Sequence, residues 1–158
     1  SRRRRTDGAS RMKEIVFDLL PNYHRPTIKL YDMTTLIDTG AVIPAFSIPM
    51  NTLREMFKTK LILDNAEIKG FGGVCKGKIC SVENFRIGEL LFENFEVFVP
   101  DTAVTFHPFL LSATLFAGMK YSFDMINAKF ALQIPDGNLT RNFFIKELKG
   151  KMLTQILC

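Results

Sequence analysis

Residues 34–41 of this chain read Thr34-Thr35-Leu36-Ile37-Asp38-Thr39-Gly40-Ala41. The β-branched and apolar residues Thr34–Ile37 predict a strand. Asp38-Thr39-Gly40 predicts the turn that ends it. The sequence therefore sets a carboxylate at a strand-to-turn junction, with apolar residues before it. Thr39 can hydrogen-bond backbone or the same residue of a second copy. Gly40 permits close backbone approach and an unusual φ. Three residues are few, and an ordinary Asp-Thr-Gly turn is the other reading of this stretch.

Working outward, the chain reads mostly as strands. Ile15–Leu20 and Thr27–Tyr31 precede the Asp38 stretch, with Pro21-Asn22 ending the first and Pro26 introducing the second. Val42–Ile48 is apolar, but Pro44 and Pro49 confine it to short or edge pairing. Asn51 is a fair N-cap, and Leu53, Met56 and Phe57 then recur at helical spacing, which predicts a short helix. Leu61–Leu63 predicts a brief strand. Ala66–Ser81 carries Gly70, Gly72, Gly73 and Gly77 and predicts a hairpin. Cys80–Ile87 and Leu90–Val99 predict strands joined near Gly88-Glu89. The second alternates apolar and acidic residues in its middle, as a strand with one wet face would. Leu111–Phe116 predicts a short helix, and Tyr121–Met125 with Lys129–Ile134 a hairpin around Asn127. Glu147–Leu157 fits helix or strand. The pattern is mainly β with two short helices, the signature of a closed or partly closed antiparallel barrel.

Three stretches, in order, resemble the retropepsin-like aspartic proteases, the single-domain relatives of pepsin that include the retroviral proteases. LIDTGA, Leu36–Ala41, looks like the family's catalytic loop. IKGFGG, Ile68–Gly73, lies about thirty residues on and looks like the flap that covers substrate. LLSATLF, Leu110–Phe116, followed by YSFDMINAKFALQIP, is similar to the family's apolar pair, short helix and closing hairpin. The resemblance spans about Ile15 to Pro135. It implies Asp38, Thr39 and Gly40 as catalytic residues, and Ala41, Val42, Phe71, Gly72 and Gly73 as substrate-binding residues. Phe71 would cover the peptide or pack on the barrel. Ile43, Pro44 and Phe46 would line pockets or fill the core.

The resemblance also implies a mechanism and a partner. One carboxylate acts as base toward water while the other donates to the peptide carbonyl, with no cofactor and no metal. Two like charges at short range cannot both ionise, aspartic proteases being the standard case. This chain has one Asp-Thr-Gly, so two chains must each supply Asp38, and the implied enzyme is an isologous homodimer acting on peptide or protein substrates. Two positions depart from the family. Val42 stands where an acid or small polar residue follows DTGA. Ser112-Ala113 stands where Gly-Arg usually opens the helix. In many members that acid and that Arg pair. Losing one would leave a buried charge, whereas losing both can be nearly neutral. The paired loss fits the alignment and predicts an altered cleft. It also motivates an alternative, a catalytically silent retropepsin-like module that binds peptides or dimerises.

Charge and composition exclude other classes. The chain has 158 residues and a net charge of +5. Residues 1–11, SRRRRTDGASR, hold five of its 21 basic and one of its 16 acidic residues, leaving 16 and 15 in residues 12–158. Residues 1–11 read as a disordered leader and 12–158 as the protease-like domain. No basic stripe with interleaved aromatics follows, which disfavours a nucleic-acid partner. No apolar stretch reaches the roughly 20 residues of a membrane span. Three cysteines without a signal sequence point to a reducing, cytoplasmic compartment. Cys75 and Cys80 flank a turn-like Lys76–Ile79 and would face each other across a hairpin. His24 and His107 lie in loop-like sequence and take no role.

Overall fold

A computed structural model describes residues 11–70, 73–103 and 107–145. Phe71 and Gly72, expected at a flap tip, the segment Glu147–Leu157 and residues 1–10, expected as a leader, lie outside them. Eleven strands are present among the described residues: β1 Lys13–Asp18, β2 Thr27–Leu30, β3 Met33–Asp38, β4 Ala45–Phe46, β5 Thr59–Gly70, β6 Gly73–Ile87, β7 Leu90–Pro100, β8 Phe109–Ser112, β9 Lys120–Asp124, β10 Lys129–Ile134 and β11 Thr140–Phe143. Helix α1 spans Met50–Met56, and a 3-10 turn spans Ala113–Phe116. Strand accounts for 57% of the structure, so the mainly-β expectation holds.

The expected closed or partly closed antiparallel barrel does not. Two open sheets form among the described residues. One is antiparallel, in the order β1-β10-β9. The other runs β2-β3-β8-β4-β7-β6-β5, with β11 added on β7. It is mixed, because β3 pairs parallel with β8, β4 parallel with β7, and β11 parallel with β7. Parallel pairing needs a long crossover. Between β3 and β8 that crossover holds α1 and the β5–β6–β7 meander.

Phenylalanines fill the space between elements. Phe46, Phe85, Phe95 and Phe109 are fully buried. Phe85 stacks on Phe95 with centroids 4.8 Å apart, and Phe46 meets Phe109 edge-on at 4.6 Å. Such pairs add about 0.5–1.5 kcal/mol beyond area burial. A second group, Phe116, Phe123 and Phe130, joins the three-stranded sheet to the same core. Most of the aromatic wealth is thus internal packing.

Several local expectations change. Helix α1 starts earlier than Asn51, with Pro49 as N-cap and its carbonyl accepting the Leu53 N–H at 3.0 Å. Leu111–Phe116 divides into the end of β8 and the 3-10 turn. Cys75 and Cys80 both lie on β6, because Lys76–Ile79 continues the strand. Gly77 is required there: a Cβ would meet the Val99 carbonyl oxygen at 2.4 Å. The alternation in β7 fails at Glu96, which is 6% exposed and accepts the Ile145 N–H at 2.8 Å. Strand β7 is covered on both faces there, and a buried carboxylate keeps its place by finding a donor. Strand β11 was not legible in the polar sequence Thr140–Asn142.

Candidate functional site

The β2–β3 hairpin places Asp38. Its two-residue turn, Tyr31-Asp32, has φ of 52° and 58°, as a type I′ turn requires. Tyrosine is a poor residue for that backbone, and tertiary contacts hold it. Its ring packs on Phe57, Phe85 and Phe109, and its hydroxyl accepts the Arg86 N–H at 2.8 Å. The turn sets Leu30 opposite Met33 and Thr27 opposite Leu36. One rung further, the Ile37 N–H donates to the Pro26 carbonyl at 3.0 Å. Just before that bonded pair, Arg25 comes beside the end of β3, and Arg25 Nη2 lies 3.1 Å from Asp38 Oδ1. Arg25 is 59% exposed and Asp38 20%. An ion pair so open to water is worth about 0–1 kcal/mol.

Strand β8 lies between β3 and β4, so the segment 39–44 must cross over its end. Asp38 is in register with Ser112, the last residue of β8. The loop is pinned from within: the Ala41 N–H donates to the Asp38 carbonyl at 3.1 Å, and the Gly40 N–H to Asp38 Oδ1 at 3.1 Å. It is also pinned from across. The Thr114 hydroxyl donates to the Val42 carbonyl at 2.6 Å. Its one proton being committed, it accepts from the Ser112 hydroxyl, 2.7 Å away. Ser112 is fully buried. The segments holding the two sequence departures, Val42 and Ser112-Ala113, are therefore in contact, joined by a hydroxyl relay.

The remaining candidates are distributed unevenly. Thr39 and Gly40 are exposed, Ala41 is buried and Val42 half-buried. Gly40 is absent from the positive-φ residues, and a Cβ there would meet Asp38 Oδ1 at an ordinary 3.5 Å. The unusual φ expected of Gly40 is not needed in the single chain. Ile43, Pro44 and Phe46 are buried in the core and line no surface. The β5–β6 hairpin forms as expected, with Gly70 opposite Gly73. Gly73 is exposed at φ 101°, with open space where a Cβ would be. Among the described residues, no hydrogen bond or ion pair joins that hairpin to the Asp38 loop.

Sequence reasoning did not pick out Arg25 and gave His107 no role. Arg25 lacks any motif; only the hairpin register reveals it. His107 contacts the Tyr23 ring at 5.3 Å and its Nδ1 lies 2.9 Å from the Thr34 hydroxyl. Burial, then the Arg25 charge, holds its imidazole below the ordinary 6.5. Among the described residues no group of three His, Cys, Asp or Glu could hold a metal ion. No helix there is long and apolar enough to cross a membrane. Comparison with protein-family models, with curated proteins and with solved structures finds no match for this chain.

Proposed function

We propose that this chain is half of an aspartic endopeptidase, completed when two copies bring their Asp38 carboxylates together across a two-fold axis. The observation that carries the proposal is the setting of Asp38. It closes β3, its Oδ1 accepts the Gly40 N–H, and its loop crosses the end of β8 under the grip of Thr114. A carboxylate so oriented and mostly shielded, yet reachable, suits a group that must hold a water and trade a proton. In the assembled site one Asp38 takes a proton from water as the water attacks the scissile carbonyl. The other donates its proton to the carbonyl oxygen. Thr39, Gly40, Ala41 and Val42 border that site. The β5–β6 hairpin, with Phe71, Gly72 and Gly73 at its tip, serves as the cover over an extended peptide.

A silent peptide-binding or dimerisation module is the second reading. It is favoured by the Arg25 contact on Asp38 and by Val42 and Ala113 in place of charged partners. Cleavage of a peptide library at acidic and neutral pH, with Asp38→Asn alongside, separates the two. The protease gives products that vanish in Asp38→Asn while the dimer persists. A folded dimer without products at any pH is the module.

A further inference from the structure

We infer that Arg25 is an intramolecular restraint on Asp38, engaged in the single chain and displaced when the two-chain site assembles. This rests on the protease function proposed above. Asp38 Oδ1 receives two donors at once, the Gly40 N–H and Arg25 Nη2, each at 3.1 Å. The first belongs to the loop itself. The second arrives from the segment before β2. A guanidinium has only donors and stays charged, so it can neither accept nor relay the proton that hydrolysis moves. Held by it, Asp38 is satisfied electrostatically and idle chemically.

The contact is built to be exchanged. The Arg25 backbone is fixed, its carbonyl accepting the Thr27 hydroxyl at 2.9 Å and the neighbouring Pro26 carbonyl accepting the Ile37 N–H. Release therefore needs only side-chain rotation. The Arg25 side chain is 59% exposed, so water and salt compete with the pair and make release inexpensive.

Carbodiimide labelling of carboxyl groups, read residue by residue by mass spectrometry, tests the restraint without relying on activity. The full-length chain and Arg25→Gln are compared, with the exposed Glu89 as internal standard. The expected result is several-fold faster labelling of Asp38 in Arg25→Gln at low salt, with the gap closing at high salt. Equal labelling overturns the restraint. Peptide-library cleavage by the same proteins, at chain concentrations below full dimerisation, should rise about two- to five-fold for Arg25→Gln, the scale of one exposed ion pair. Faster labelling with slower cleavage also overturns it and makes Arg25 a positioning residue. If neither protein cleaves, the protease function fails separately, and labelling alone supports or overturns the Arg25 contact.

Discussion

The Asp38 loop and the arms of the β5–β6 hairpin are built in opposite ways. The loop is tied at every turn: a ladder rung at Pro26, two N–H groups on Asp38, and the Ser112–Thr114 relay onto Val42. The fully buried Phe85 and Phe109 pack against Tyr31 at the turn of the hairpin that carries it. The hairpin arm is the reverse. Lys60–Asn65 are all exposed, including Leu61, Ile62 and Leu63 at 46%, 45% and 48%. Strand β5 ends its sheet and slips register against β6 twice, around Leu63. Such bulges, with Lys60 beside them, also discourage edge-to-edge pairing. Buried contacts set local stability, so opening should cost most near Asp38 and least along the arm.

That contrast can be broken at several points. Phe85→Ala removes the ring at the centre of the aromatic group and should cost about 3–5 kcal/mol, read as the denaturation midpoint. A cost below about 1 kcal/mol would mean the Asp38 region is not tied through its core. Thr114→Val keeps the shape but strips the relay, leaving the Val42 carbonyl and Ser112 hydroxyl unsatisfied. It should cost about 1–3 kcal/mol and raise hydrogen exchange in the Asp38 loop. Leu63→Ser, on the arm, should change stability by no more than about 0.5 kcal/mol. A large loss there would erase the distinction. The smallest effect is at His107. Its folded form takes up a proton at lower pH than the ordinary 6.5. The unfolded chain therefore binds more protons in that window, and stability falls slightly as pH drops from 6.5 through the folded value. An NMR titration should place His107 below 6.5 and show Arg25→Gln moving it upward.

Much of this was legible in the residues. The strand before Asp38, the glycine-rich hairpin, the Gly88-Glu89 turn and the final hairpin around Asn127 follow from period and turn chemistry acting locally. What was hidden depends on distant contacts. Tyr31-Asp32 does not look like a type I′ turn, and only the rings of Phe57, Phe85 and Phe109 make it one. Without that turn the hairpin register is free, and Arg25 cannot be matched to Asp38. Glu96 looks solvent-facing by alternation, yet the Ile145 N–H, 49 positions away, lets it be buried. Lys76–Ile79 looks like a turn, yet pairing with both β5 and β7 extends it through Gly77. The sheets stay open where the mainly β pattern suggested a barrel, and the three parallel pairings join strands distant in sequence, which local pattern cannot show.

The central claim is that one chain supplies one Asp38 and two chains make the site. Mixing tests it most directly. Wild-type chain is unfolded together with Asp38→Asn chain, refolded, and assayed on a cleavable peptide at fixed wild-type concentration. If the site is shared, activity falls as the variant is added, because mixed dimers carry one carboxylate. At equal proportions roughly one quarter of the dimers keep both. Activity unchanged by the variant would contradict the account, since each chain would then hold a complete site of its own.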